Sequence, residues 1–164
     1  MEITVEILEE QFEEYNELYF GGRLPWPDEF YLFKSFKCYG RFYCAKHAPG
    51  SKMRNVRIGI SKYYDWTEEH LRNIFVHEML HYKLERSKNA EKKIHGPRFL
   101  KAAAELNENY GLNIVAHPYL FGIKVSPSAH KHSLARFIFA PPSEDPRRQI
   151  ENVSAMRVSQ NVDY

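Results

Sequence analysis

The sequence predicts one α+β domain, in which helices flank a small block of strands. A helical periodicity runs through the first twenty residues, three short runs of aromatic and β-branched residues follow, and two further helical patterns come after them. The chain has 164 residues, of which 43% are hydrophobic and 15% aromatic, enough to build one core. We therefore expect a single domain over residues 1–140, followed by a polar tail over residues 141–164.

The first predicted element is an amphipathic helix. Thr4 is a suitable N-cap, and Gly21-Gly22 is a typical C-terminal stop. Between them, apolar side chains recur at helical spacing: Val5, Leu8, Phe12, Tyr15 and Tyr19. Most glutamates of this segment fall on the opposite face, so we expect one face to be buried and the other to contact water.

Three short strands are predicted next, FYLFKSF (30–36), RFYCA (41–45) and VRIGI (56–60). Each run is rich in aromatic or β-branched residues, and Gly40 and Pro49-Gly50-Ser51 separate them. Because the connections are short, we expect a small three-stranded antiparallel sheet.

A buried helix is predicted after the strands. Asp65 and Glu68 fit a capping arrangement, and the sequence LRNIFVHEMLHYKL, which starts at Leu71, is apolar around most of its circumference. The polar, lysine-rich segment 85–94 is predicted to be a loop. Pro97 suits the first turn of a third helix, and Gly111 ends that helix.

Two more strands, YLFGIKV (119–125) and SLARFIF (133–139), are predicted to form a C-terminal β-hairpin. Residues 141–164 are polar and sparse in large apolar side chains, so we expect them to be loosely packed or disordered. The hairpin would then complete the domain.

The composition argues against several classes of protein. The N-terminal segment is acidic where a secretory signal would be basic and then apolar, and no apolar run approaches the roughly 18 residues of a membrane span. We therefore expect an intracellular, cytoplasmic protein with no membrane partner. Cys38 and Cys44 suit neither a disulfide framework nor a four-thiolate zinc site, so we expect them to be reduced and packed.

His77 and His81 lie four residues apart in the predicted buried helix, and Glu78 lies between them. An α-helix turns about 100° and rises about 1.5 Å per residue, so both imidazoles project from one face and can bind one ion, for which zinc is expected. Glu78 lies on the flank, where its carboxylate can take a proton from water without binding the metal. The alternative is a buried helix whose histidines merely find hydrogen-bond partners.

A third ligand must come from outside this pair. Glu85 continues the helical face, but it lies about 12 Å along the axis from His77 and cannot reach the same ion. Two candidates remain. Glu105, on the third helix, has a spacing that some metalloproteases use, and His95 precedes Gly96-Pro97, where the chain can fold back toward the second helix. We favour His95, although spacing leaves both residues open.

Several motifs of this chain occur together. HEMLH (77–81), a hydrophilic loop and HGPRF (95–99) follow an acidic helix that ends in YFGGRLP (19–25) and an aromatic pair of strands. This combination resembles the SprT-like family of zinc metalloproteases over about residues 5–112. The resemblance implies a zincin-like fold, one Zn2+ ion held by His77, His81 and His95, and Glu78 as the catalytic acid and base.

The sequence departs from the pattern of that family in two places. Many members have an acidic residue after the Gly-Pro, where this chain has Arg98, and this change touches no ligand position. Many members also continue into a cysteine-rich zinc ribbon, whereas no cysteine follows Cys44 here. Two roles are open for the predicted hairpin: it takes the place of that ribbon, or it covers an edge of the sheet.

The predicted reaction is hydrolysis of a peptide bond in a protein or peptide substrate. Zinc lowers the pKa of its bound water toward about 7 and polarises the scissile carbonyl, and Glu78 passes the proton to the departing amine. Tyr39, Tyr43 and Tyr82 are candidate donors to the oxyanion. Two other functions are compatible with these residues: a non-proteolytic nucleic-acid-binding module with a structural zinc site, and a zinc hydrolase with a non-protein substrate.

The charge is segregated along the chain, although the net charge is only +2. Residues 1–29 hold nine acids and one base, whereas residues 30–64 hold eight bases and no acid. Six of these bases, interleaved with aromatic residues, are candidates for binding nucleic acid: Lys34, Lys37, Arg41, Lys46, Arg54 and Arg57. The same pattern fits an ordinary sheet with a basic wet face. The family resemblance favours DNA as a partner, since some relatives cleave proteins on DNA.

Overall fold

The computed structural model describes residues 1–45, 52–87 and 93–129. The elements in chain order are α1 Val5–Phe20, β1 Glu29–Phe33, β2 Gly40–Ala45, β3 Arg54–Ser61, α2 Glu68–Glu85, α3 Pro97–Tyr110 and a short 3-10 helix Pro118–Phe121. The predicted α+β class is therefore confirmed.

The ends of α1 are the predicted ones. The Thr4 hydroxyl oxygen accepts a hydrogen bond from the amide of Ile7 at 3.3 Å, which satisfies a donor of the first turn. Gly21 ends the helix in the left-handed conformation, with φ 62°, where a side chain would be strained. Leu8 and Phe12 are buried, so the amphipathic pattern faces the core as expected.

The sheet is mixed, and its strand order is β1-β3-β2. β2 pairs antiparallel with β3, but β1 pairs parallel with β3, so the prediction of an antiparallel sheet is wrong for β1. The reason lies in the central strand. Val56, Ile58 and Ile60 of β3 are 5%, 0% and 0% exposed, and a strand this deeply buried is best placed in the centre, where both of its edges are paired.

The two faces of the sheet differ in composition. Phe30, Phe42 and Ile58 are buried on the inner face, where α1 packs against β1 and α2 packs against β2 and β3. Side chains at the alternate positions form what we call the outer sheet face: Tyr31, Phe33, Arg41, Tyr43 and Arg57. The inner face therefore carries α2, and with it the HEMLH segment.

The start of α2 differs from the prediction, whereas its burial does not. Thr67 is the N-cap and accepts a hydrogen bond from the amide of His70 at 3.1 Å. Asp65 cannot cap the helix because it lies too far from the first helical residue, and its carboxylate instead contacts the amine of Met1 at 3.2 Å. All side chains from Ile74 to Tyr82 are buried, as expected for a helix that is apolar around most of its surface. No helix of the described ranges, α2 included, combines the length and apolarity needed to cross a bilayer.

The segment after α3 does not form the first strand of the predicted hairpin. Residues 118–121 form a 3-10 helix, and Val125 makes only an isolated bridge with Tyr64. Pro118 lacks an amide hydrogen, and Gly122, with φ 60°, interrupts any extended run. The predicted second strand (133–139) and the tail (141–164) lie outside the described residues.

Candidate metal centre

Three predicted histidines meet at one point of the structure. His77 and His81 project from one face of α2, and His95 lies in the turn immediately before α3. The Nε2 atoms of His77 and His81 are 3.0 Å apart, and the Nε2 atom of His95 lies 3.3 Å from each of them. Three ring nitrogens thus form a nearly equilateral triangle around a common centre.

This triangle fits a tetrahedral metal ion. Zinc–nitrogen bonds of about 2.0–2.1 Å at tetrahedral angles place two ligand nitrogens about 3.3–3.4 Å apart. The observed separations of 3.0–3.3 Å are close to that spacing. Three imidazoles with one position left over are the donor set of many catalytic zinc sites. The residues present therefore fit zinc.

Glu105, the alternative third ligand, lies elsewhere. It is exposed on α3 and does not belong to the group of side chains that could hold a metal. His95 reaches the centre because Gly96 caps α3 in an extended conformation and Pro97 begins the helix, which turns the chain toward α2. The geometry thus favours His95, while metal binding by these three rings stays a prediction.

Burial keeps the three rings in the neutral form that binds metals. His77 and His81 are 1% and 5% exposed, and loss of water lowers the pKa of each well below its usual value. Neighbouring histidines lower both further, and a hydrogen bond with the backbone of Val115 partly offsets the shift at His77. Burial, followed by the influence of His117, lowers the pKa of His95 to about 4. At neutral pH each ring can therefore offer a nitrogen lone pair.

Glu78 lies beside the histidines on α2 and is 0% exposed. Gly40, the first residue of β2, faces it so closely that a Cβ atom there would lie 2.5 Å from Oε1 of Glu78. Only glycine allows the strand and the carboxylate to approach in this way. From sequence, Gly40 is only a separator between strands. The signal that marks it is a glycine at the start of a strand, which often indicates close backbone approach.

The sequence was also compared with known protein families. Residues 8–130 match the model of the SprT-like family. The chain belongs to this family. The matched segment includes the three histidines and Glu78, and it extends beyond residue 112, where the recognisable motifs end. No curated protein matches the chain.

Phe99, from the HGPRF segment of this SprT-like chain, packs against all three histidines. Its ring centroid lies 4.9 Å from that of His77, 4.7 Å from that of His81 and 4.6 Å from that of His95. The ring is fully buried and nearly parallel to His81, at 21°. Phe99 therefore forms an apolar support for the triangle of nitrogens. The sequence marks it only as an apolar residue in the first turn of a helix.

The residues predicted to bind nucleic acid occupy several places in the SprT-like domain. Arg41 and Arg57 lie on the outer sheet face, with their guanidinium carbons 4.3 Å and 4.7 Å from the ring centroids of Phe33 and Tyr43. Lys34 and Lys37 are exposed in the connection between β1 and β2, and Arg54 is exposed at the start of β3. Lys46 lies outside the described residues. Two of the six predicted cations therefore share one surface with aromatic rings.

Proposed function

We propose that this protein is a zinc-dependent metallopeptidase that hydrolyses peptide bonds in protein or peptide substrates. The observation that carries the proposal is the convergence of three imidazole nitrogens, 3.0–3.3 Å apart, beside a fully buried glutamate. Membership of the SprT-like family supports the same function.

The chain supplies the groups that such a reaction needs. When bound, zinc provides Lewis-acid chemistry, which polarises a carbonyl and acidifies water. His77, His81 and His95 would hold the ion. Glu78 accepts a proton from the attacking water on a carboxylate oxygen and delivers it to the amine nitrogen that leaves. Gly40, at the start of β2, packs against the Glu78 side chain and so limits the positions that this carboxylate can take.

β2 is the strand that we expect to bind an extended substrate. It is an edge strand in the order β1-β3-β2, and its first residue lies against Glu78. The other edge strand, β1, packs against α1. A peptide that adds to the edge of β2 would make main-chain hydrogen bonds there and carry its scissile bond toward the histidines.

Replacement of Glu78 with glutamine tests the proposed chemistry. The amide keeps the size of the side chain but cannot take the proton, so hydrolysis should fall about 10²- to 10⁴-fold while bound zinc is retained. Glu105→Gln is the matched control, because Glu105 is exposed on α3 outside the histidine cluster. Casein, histone and small ester substrates, each assayed with and without DNA, separate a peptidase from another hydrolase. Full peptidase activity in E78Q would refute the proposal.

The proposed ligand set has its own test. Zinc content, measured by mass spectrometry after dialysis, should fall in His95→Ala and stay unchanged in Glu105→Ala, because only the imidazole lies in the triangle. The opposite result would assign the third ligand to Glu105.

We also propose that the outer sheet face binds single-stranded DNA. Arg41 and Arg57 lie over aromatic rings there, and an arginine beside an accessible ring suits both phosphates and bases. In R41Q/R57Q, the slope of log affinity against log salt should decrease by about 0.7 for each phosphate that the protein no longer neutralises. Lys101→Gln, at an exposed position of α3, is the control. Unchanged DNA affinity in the double variant, measured by fluorescence anisotropy, would contradict this assignment.

A further inference from the structure

The proposed peptide hydrolysis develops negative charge on the substrate carbonyl oxygen. A preorganised donor to such an oxyanion commonly accounts for about 10²- to 10³-fold in rate. The three tyrosines that the sequence offers lie in other places. Tyr82 is buried and stacked on Phe42, and the Tyr39 hydroxyl accepts a hydrogen bond from the Ile123 amide in the core. Tyr43 lies on the outer sheet face under Arg57.

His117 is a polar side chain at the rim of the metal centre. It is exposed, and its ring centroid lies 5.8 Å from that of His95 at an angle of 87°. It is also close enough to His77 to act on that ring electrostatically. An exposed imidazole this near the triangle of nitrogens is within reach of a substrate held there.

The segment that carries His117 is held in place at several points. Asn107 on α3 makes two hydrogen bonds with the backbone of Ile114, at 2.7 and 2.9 Å. Asn73 on α2 accepts a hydrogen bond from the amide of Asn113 at 2.8 Å, and Ile114 itself is buried. Both helices of the site therefore hold the backbone of residues 113–114, three residues before His117. Such preorganisation is what a catalytic hydrogen-bond donor requires.

A purely structural role for His117 fits these observations less well. Phe99 already packs against all three histidines, so His95 has a buried apolar support. A side chain that served only to brace His95 would be expected in the interior, whereas His117 is exposed. Its edge-on contact with His95 also covers less of that ring than a stacked arrangement would.

We propose that His117 is a further catalytic residue, which donates a ring N–H hydrogen bond to the carbonyl oxygen of the scissile peptide as that oxygen becomes negative. The assignment rests on the proposed peptidase function. The donor makes and breaks no covalent bond. Its contribution grows between the bound substrate and the transition state, so it should raise kcat more than it lowers KM.

The experiment compares the 164-residue chain with its H117A, H117Q and E78Q variants on a fluorogenic peptide. In H117A, kcat should fall about 10²- to 10³-fold with little change in KM, and H117Q, which keeps an N–H donor, should recover part of the loss. Zinc affinity should be unchanged in both. A phosphinate peptide, which mimics the tetrahedral oxyanion, should lose affinity by about the same factor as kcat/KM. His70→Ala is the control, because His70 packs on Phe121 instead of on the metal centre.

Each outcome of this experiment decides the assignment. Wild-type turnover in H117A together with an inactive E78Q would overturn the role of His117 and leave the peptidase function standing. A fall in zinc affinity that matches the fall in rate would show that His117 braces His95 instead. Equal activity of the wild type and E78Q would remove the proposed function, and the His117 assignment with it.

Discussion

Replacement of Gly40 with alanine is expected to slow peptide hydrolysis about 100-fold without loss of the metal. The added Cβ atom would lie 2.5 Å from Oε1, 2.8 Å from Cγ and 3.0 Å from Cδ of Glu78. Atoms in favourable contact are about 3.5–4.0 Å apart, so the carboxylate must move by roughly 1 Å. A displacement of about 1 Å in an active site can cost about 100-fold in rate.

Gly59→Ala is the matched control for this substitution. Gly59 lies in the neighbouring strand β3, where an added Cβ atom would lie 2.5 Å from Cζ of Tyr31 on the outer sheet face. Each change forces one methyl group into a close-packed place, at a cost of about 1–3 kcal/mol in stability. Both variants should therefore be less stable. Only G40A should also lose turnover, because only that methyl group meets Glu78.

The assay measures kcat on a fluorogenic peptide, zinc content, and the free energy of unfolding in urea for each variant. Because Gly40 and Glu78 act through the same carboxylate, G40A combined with E78Q should be no slower than E78Q alone. Wild-type turnover in G40A would refute the reasoning. An equal loss of turnover in G59A would refute it as well, since the effect would then come from general destabilisation.

Three further predictions concern stability. Phe99→Ala removes the ring that supports the histidines, so it should lower the free energy of unfolding in urea by about 3–5 kcal/mol and weaken zinc binding. Unchanged zinc affinity would contradict the supporting role. Thr67→Ala removes the N-cap of α2, so it should lower the free energy of unfolding by about 1 kcal/mol, and Asp65→Ala should lower it less. A larger loss in Asp65→Ala would show that Asp65 is the cap. Burial raises the pKa of Tyr15 and of Tyr64 to about 12, above the value of about 10 in the unfolded chain. The two buried phenols should therefore contribute fully to the free energy of unfolding below about pH 10, and this contribution should be lost as the pH rises toward 12. A urea midpoint that stays constant over this range would contradict the prediction.

Features that depend on neighbours along the chain could be predicted from sequence. Thr4 and Gly21 mark the ends of α1, and Pro97 and Gly111 mark those of α3, because caps and stops act within one helical turn. Burial of α2 follows from its apolar circumference. The pairing of His77 with His81 is equally local, since the helix itself places side chains four residues apart on one face.

Features that depend on contacts distant in sequence could not be predicted in the same way. β1 pairs with β3 because the most deeply buried strand takes the centre of the sheet, and short connections alone do not reveal this. The strand predicted over 119–125 gives way to a 3-10 helix over Pro118–Phe121, because Pro118 and Gly122 outweigh the apolar composition between them. Gly40 and Phe99 gain their importance only from what lies opposite them.

The amino-acid sequence alone determines that two imidazoles lie on one face of a helix with a glutamate between them, and to which family this motif points. Each of these features is encoded within a few consecutive residues. Tertiary structure decides that His95, and not Glu105, completes the triangle, and that Gly40 and His117 approach the same centre. The physical reason is chain connectivity. Loops and strand order set which distant residues meet, and that choice depends on the burial of the whole core rather than on any local spacing.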